Sequence, residues 1–239
     1  QLFQEFPATY NPQPTIKGLM RRWDLTMLGL AYHDDESWRK VVTREDFLYR
    51  TASASSSPLE QFLLKPIAPL VEDNINSDCV ELFELKKNTR RLEDHLTLYS
   101  RKWSVEERLD LVQALLAPFA ELHAMGAAHR DIDTQNLWYS QDHRIVMASG
   151  FHSAFIPEKG SIKDFSEKLR SGLMSLPEDI YGEAGEIQSP FAKDVFLLAL
   201  VAHKICFPGA KIHLEDNIPV WQPVADDPLE GKMDAFFER

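Results

Sequence analysis

Cysteine is scarce in this sequence, with two residues, Cys79 and Cys206, among 239. Both lie inside apolar segments (CVELFEL and HKICF), which reads as buried free thiols in a reducing compartment. A long-range disulfide between them is the other reading. Basic charge is also short: 26 Lys and Arg stand against 37 Asp and Glu, a formal net charge of -11. A polyanionic surface repels phosphate backbones, so nonspecific nucleic-acid binding is disfavoured, and no long Lys/Arg run offers a local patch. No apolar run approaches the length of about 18 residues that a membrane span needs, and no signal-peptide pattern opens the chain. A soluble, cytoplasmic protein with no membrane or nucleic-acid partner is expected. No internal repeat is visible.

What is present is a hydrophobic fraction of 44%, enough over this length for a sizeable core in one domain or two lobes. The chain starts at Gln1 and stops in GKMDAFFER, an amphipathic helical pattern without a closing cap. It reads as a fragment of a larger protein.

Along the chain the pattern changes character once. Residues 1–14 (QLFQEFPATYNPQP) mix Pro and Asn with isolated apolar residues, which predicts irregular chain. TIKGLMRR and WDLTMLGLA give strand-like runs between Thr15 and Ala31. Trp38, Val41, Val42 and Leu48 are spaced as on a helix, predicted over about Glu36–Arg50. SASSSP is a polar loop, and CVELFELKK (Cys79–Lys87) a strand. From Arg91 onward helices dominate. LEDHLTLY is a short one; Ser104, with Glu107 three residues on, forms a capping box for a long one that stops at Gly126. Leu109, Val112, Leu115, Leu116, Phe119 and Leu122 form its apolar stripe, which Pro118 should kink without ending. Two strands, NLWYS and RIVMAS, flank a turn at Gln141–His143. A long polar segment (152–176) follows, and AKDVFLLALVAHKICF is apolar on most faces, as a central helix is. The strand-rich first third and helix-rich remainder predict an α+β, two-lobed body, residues 1–88 forming the smaller lobe and 89–239 the larger.

The densest chemistry lies between Ala127 and Phe151, AAHRDIDTQNLWYSQDHRIVMASGF. His129-Arg130-Asp131, followed by Asn136, resembles the H-R-D-x-x-x-x-N catalytic loop of eukaryotic-type protein kinases. The tripeptide alone is weak. The spacing to Asn136, the capped helix before it and the hairpin after it carry the resemblance, and further segments match in order. SLPEDIYG (Ser175–Gly182) is similar to the A-P-E segment, retaining Pro177 and Glu178. AKDVFLLALV is similar to the buried helix after it, in which Asp194 is expected to brace the catalytic-loop backbone. CVELFEL resembles the strand entering the hinge, with Phe83 as gatekeeper and Glu84 and Leu85 in the linker. TIK resembles the end of V-A-I-K, which makes Lys17 the candidate phosphate lysine and Glu45 its ion-pair partner. In the other register WDLTML is that strand and Thr26 takes the lysine position. The resemblance spans about Thr15 to Arg239 and implies a two-lobed protein-kinase-like fold, truncated at both ends.

The retained residues suit the chemistry. Asp131 can accept a substrate hydroxyl's proton and hold its oxygen in line with the γ-phosphorus, and Asn136 can present its amide oxygen to Mg2+. Arg130 would receive a regulatory phosphate from the following segment, which offers Ser161, Ser166, Ser171 and Ser175. Read without their surroundings, Asp131 and Asn136 are also simple turn formers. The departures cluster where the triphosphate and its metal would sit. Ser149-Gly150-Phe151 aligns with D-F-G, so Ser149 stands in the metal position with a neutral hydroxyl, a poor replacement for a carboxylate on Mg2+. Sliding the register yields Gly150, Phe151 or His152, none of them an acid. Asp133 replaces the lysine that serine/threonine kinases place on the γ-phosphate. Trp138 falls near the floor of the adenine pocket and is expected to fill it rather than stack under a base. No G-x-G-x-x-G occurs. Each lost electrostatic contact costs on the order of 10²–10³ in rate.

The resemblance therefore implies a kinase-like domain impaired in phosphoryl transfer, a regulatory or scaffolding module. Its partner would be a protein or a flanking domain of the same chain, with ATP and Mg2+ the cofactors at issue. Two readings compete. One is an active serine/threonine kinase whose metal is held by Asp142 or Asp164. The other, a small-molecule phosphotransferase of the antibiotic-kinase type, fits poorly, since that loop usually reads H-G-D and its metal Asp is present.

Overall fold

Residues 3–9, 17–31, 35–68, 79–157, 190–208, 211–215 and 218–222 are described by the structure, a computed structural model. They form a mixed α+β fold of small antiparallel sheets and several helices. Strand β1 (Phe3–Thr9) pairs with β2 (Lys17–Trp23) from Phe3 opposite Trp23 to Thr9 opposite Lys17. β2 pairs in turn with β4 (Val80–Glu84), and β4 with β3 (Lys65–Ala68), giving the order β1-β2-β4-β3. The inner position of β2 explains its alternation: Leu19, Arg21 and Trp23 share one buried face. Gly18 is required there, because a Cβ would lie 2.8 Å from the Phe83 carbonyl oxygen.

Three expectations for this region are corrected. The segment expected to be irregular contains β1; its Pro7 is tolerated because β1 is an edge strand. The second of the two expected strand-like runs, WDLTMLGLA, is not a strand: β2 ends at Trp23, and helix α1 (Leu25–Ala31) follows. Asp24 starts it, its Oδ1 accepting from Met27 N at 3.0 Å, so a local cap overrides the strand-like composition. The single helix expected over 36–50 is two, α2 (Asp35–Val42) and α3 (Arg44–Ala54). They part at Thr43, whose hydroxyl donates back to the Arg39 carbonyl at 2.9 Å.

Helices α4 (Leu92–Tyr99) and α5 (Val105–Ala124) lie between β5 (Thr89–Arg91) and the hairpin of β6 (Leu137–Ser140) and β7 (Ile145–Ala148); β5, β6 and β7 form a second sheet in that order. The capping box of α5 is formed: Ser104 Oγ accepts from Glu107 N at 3.2 Å, and Glu107 Oε2 from Ser104 N at 2.7 Å. α5 runs on through Pro118, and Gly126 just beyond it takes the left-handed conformation, φ +75°. Its buried face is Leu111, Leu115, Pro118, Phe119 and Leu122, whereas Leu109 and Leu116 of the expected stripe are 50% and 47% exposed. The helix is apolar around more of its circumference than its neighbours cover.

α6 (Pro190–Cys206) packs on α5, and its Leu197, Leu198, Val201 and Ile205 join Leu115, Phe119 and Leu122 in the largest core. Leu48 and Ala52 of α3 complete that core from the other side. A smaller cluster of Leu19, Leu64, Phe83, Trp138 and Met147 links the first sheet to the β6–β7 hairpin. β8 (Lys211–Glu215) and β9 (Ile218–Gln222) form a separate two-stranded ladder. Cys79 and Cys206 are buried free thiols. Burial, with Glu81 adding to it, pushes Cys79 up to about 12, which makes it a packing residue rather than a nucleophile. Among the described residues no helix is long and apolar enough to cross a membrane. Asp164, the serines at 161, 166, 171 and 175, SLPEDIYG and GKMDAFFER lie outside the described residues.

Candidate functional site

The chain from Ala127 to Asn136 has no regular secondary structure, so its backbone groups need partners from elsewhere. Asp194, fully buried on α6, supplies them. Its Oδ1 accepts from Arg130 N at 2.6 Å and its Oδ2 from His129 N at 2.8 Å, with His123 Nε2 2.9 Å from Oδ2. This is the bracing contact that the resemblance implied. It holds Arg130 at φ +67°, a conformation that residues with a side chain seldom adopt. His129 is buried too. Its Nδ1 accepts from Asp131 N at 3.3 Å, which leaves the ring proton on Nε2 to be donated to Ser149 O at 2.9 Å. Asn136 Nδ2 donates to Asp131 O at 2.8 Å and reaches Asp131 Oδ2 at 3.4 Å. Arg130, Asp131 and Asn136 are thus brought together on one braced loop.

Ser149 is 2% exposed, and its hydroxyl is committed. It accepts from Trp138 Nε1 at 3.0 Å and donates to Asn136 O at 3.1 Å. Gly150 follows at φ +81°, where a Cβ would lie 3.2 Å from Asn136 Cγ and Oδ1. Mg2+ demands several hard oxygens in near-octahedral array. Of the expected metal pair, Asn136 has an amide oxygen to offer, whereas the Ser149 oxygen is neutral, buried and already in two hydrogen bonds, so these residues do not fit the ion. Among the described residues no group of three or more His, Cys, Asp or Glu is placed to hold a metal. Asp142 does not compensate: it sits in the turn at the far end of the hairpin, bound by Asn88 Nδ2 at 2.9 and 3.1 Å. Four residues of strand, about 13 Å, separate it from Asn136 and Ser149. The group beside Asp131 is instead His152, whose Nε2 lies 3.4 Å from Asp131 Oδ2. Burial, opposed by Asp131, holds His152 below the usual imidazole range, so the ring is neutral at neutral pH. Asp133 Oδ1 accepts from Gln135 N at 2.8 Å, a local turn contact.

The expected pair of Lys17 and Glu45 is corrected to Arg21 and Glu45. Lys17 begins β2 with its side chain exposed, and its carbonyl accepts from Leu85 N at 2.9 Å. Thr26, the other candidate, is exposed on α1. Arg21 lies four residues along β2, roughly 13 Å from Lys17 on the same face, where α3 closes over the sheet. Its Nη1 donates to Glu45 Oε2 at 2.7 Å and to Glu81 Oε2 at 3.2 Å, and its Nε to Glu5 Oε1 at 2.9 Å. Arg91 Nη2 donates to the other Glu5 oxygen. Burial acts to lower the Arg21 pKa, but Glu45, Glu81 and Glu5 outweigh it and hold the guanidinium above its ordinary range. Glu81 also accepts from Trp23 Nε1 at 2.7 Å. Burial, opposed by Arg21 and reinforced by Glu45, pushes Glu81 up to about 7. Glu45 Oε2 further accepts from Gly150 N at 2.8 Å, and Arg44 Nη1 donates to Ala154 O at 2.8 Å. α3 is therefore fastened to the chain on both sides of Phe151.

Trp138 is buried against Phe83 with Leu85 alongside, so these three expected residues do meet. The Arg91 guanidinium lies 4.8 Å over the indole. Glu84 points outward to Lys65, 3.1 Å away. Sequence reasoning missed Arg21, Glu5, Arg91 and His152. For Arg21 a signal existed: it shares its strand face with Leu19 and Trp23, and a charge on such a face demands buried partners. No family model matches the chain, and no curated protein matches it either.

Proposed function

We propose that the chain is a protein-kinase-like domain that no longer transfers phosphate and serves as a regulatory or scaffolding module for a protein partner or a flanking domain. In this reading residues 1–88 are the small lobe and 89–239 the large one. Support comes from the loop braced by Asp194, from an acid of α3 paired with a base of the inner strand, and from Trp138 against Phe83 and Leu85. The observation that carries the proposed loss of transfer is Ser149, which the resemblance aligns with the metal-binding Asp and whose hydroxyl is held between Trp138 and Asn136. Phosphoryl transfer is nearly all positioning and electrostatics, so without that ligand the retained Asp131 has no anchored phosphate to act on. Two further features point the same way. Arg21, which pairs with Glu45 in place of the expected Lys17, has its Nε and Nη1 occupied by three carboxylates. Asp133 puts a negative charge where a γ-phosphate contact is sought.

The second reading, an active serine/threonine kinase, is favoured by one observation: Asp131 and Asn136 keep both their spacing and their mutual hydrogen bond. Nucleotide titration separates the two. ATP with Mg2+ is expected to shift the melting temperature of the wild-type chain by less than about 1 °C, with no difference when EDTA replaces the metal. A saturable, metal-dependent shift of several degrees would favour the enzyme.

A further inference from the structure

Arg21 and Arg91 share one carboxylate. Arg21 Nε donates to Glu5 Oε1 at 2.9 Å, and Arg91 Nη2 to Glu5 Oε2. Each oxygen is held by a different guanidinium, an arrangement that grips a carboxylate and a phosphate alike. The two cations are fixed independently of Glu5. Arg21 is anchored by Glu45 and Glu81, while Arg91 lies over Trp138 and donates to the Gln135 carbonyl. The Arg21 side chain is 1% exposed, that of Glu5 7% and that of Arg91 25%, so Arg21 forms the inner end of the seat and Arg91 its solvent side. Arg21 Nη2 has no hydrogen-bond partner, which leaves a buried donor at the inner end. The carboxylate that fills the seat comes from β1, an edge strand whose Gln4, Phe6, Pro7 and Thr9 are exposed.

We propose that Arg21 and Arg91 form an oxyanion seat which the chain fills with its own Glu5, and which takes a phosphate-class anion once that carboxylate is withdrawn. The seat is defined by its ion pairs, whatever the ancestry of the fold. Charge decides its occupancy. With Glu5 in place two arginines face Glu5 and Glu45 even when Glu81 is neutral, so the seat offers a further anion no net positive charge. With Glu5 gone two carboxylates remain, and Glu81 gives up its proton only near neutrality, so below that pH the seat carries net positive charge. Peeling β1 from β2 is the movement that would open it in the wild-type chain.

The test is thermal unfolding of the full chain and its Glu5→Ala variant at pH 6, in sodium phosphate and in sodium chloride of matched ionic strength. Phosphate stabilises any protein surface somewhat by exclusion, so the readout is the gain of the variant beyond that of wild type. The variant is expected to melt below wild type in chloride and to gain about 3–5 °C more than wild type at tenfold excess over the dissociation constant. Arg91→Ala in the Glu5→Ala background removes that gain. If Glu5→Ala is unfolded in chloride, phosphate is expected to restore a cooperative melt. Equal gains for wild type and Glu5→Ala, no recovery of an unfolded variant, or a gain that survives Arg91→Ala would each overturn the proposal. Titration with ATP in EDTA identifies the source: half-saturation below that of inorganic phosphate assigns a nucleotide's phosphates, the reverse a free oxyanion.

Discussion

Replacing Asp194 with asparagine is expected to lower the unfolding free energy by about 3–5 kcal/mol. The carboxylate is fully buried and accepts from one backbone amide on each oxygen, with the His123 ring at the oxygen that takes His129 N. An asparagine keeps the volume, but its NH2 group must face at least one of those donors. A buried donor against a donor loses the bond and leaves both groups desolvated. The loss extends beyond the bonds, since Arg130 is held at φ +67° by this contact, and a released backbone leaves that region. Denaturant unfolding should show the drop with an unchanged m-value. Asp142→Asn, at the exposed hairpin turn, should cost under about 0.5 kcal/mol. A loss below about 1 kcal/mol for Asp194→Asn would mean that the loop is held by something else.

Arg21→Met is expected to be comparably severe, about 3–5 kcal/mol at about pH 8, because it strands Glu45 and Glu81 in the interior. Glu5 is less affected, keeping Arg91. The deficit should shrink at about pH 5, and the sign follows from linkage. Glu81 in the folded protein is already raised from 4.5 to about 7 with Arg21 opposing the rise. Removing Arg21 raises it further. A carboxylate with a raised folded pKa contributes its full stability below the unfolded pKa and loses it as pH rises through the folded value. Stability of Arg21→Met should therefore go on falling above about pH 7, where the contribution of Glu81 to the wild-type slope ends. Glu81→Gln in the same background should flatten the fall. Arg21→Lys retains the charge without the fork and should lose about 1–2 kcal/mol. Equal losses at the two pH values would show that the guanidinium acts by packing alone.

Much of this was legible where the signal is local. The capping box at Ser104 and Glu107, the Gly126 stop and the turn between NLWYS and RIVMAS are short-range devices, and each is formed. Trp138 meeting Phe83 and Leu85 was legible from the resemblance, as was Asp194 behind His129 and Arg130. The failures belong to non-local pairing. FQEFPAT (Phe3–Thr9) reads as loop because Pro7 and its polar neighbours argue against a strand, and only the ladder with β2 makes it one. Once β1 is in place Glu5 enters the interior, and Arg21 becomes the base opposite Glu45. Lys17, chosen for its V-A-I-K-like context, stands at the exposed end of the same strand. Leu109 and Leu116 were read as core because a helix apolar on two faces does not reveal which face its neighbours will cover.

Transfer of labelled phosphate from ATP in Mg2+, to the chain itself or to a generic protein substrate, tests the proposed loss of transfer most directly. Wild type is compared with Asp131→Asn. The expected result is no incorporation above background in either protein, because Ser149 gives the metal no ligand and Arg21 is already held by three carboxylates. Incorporation by the wild-type chain that Asp131→Asn abolishes would contradict it, and would make the domain a working kinase with an atypical metal site.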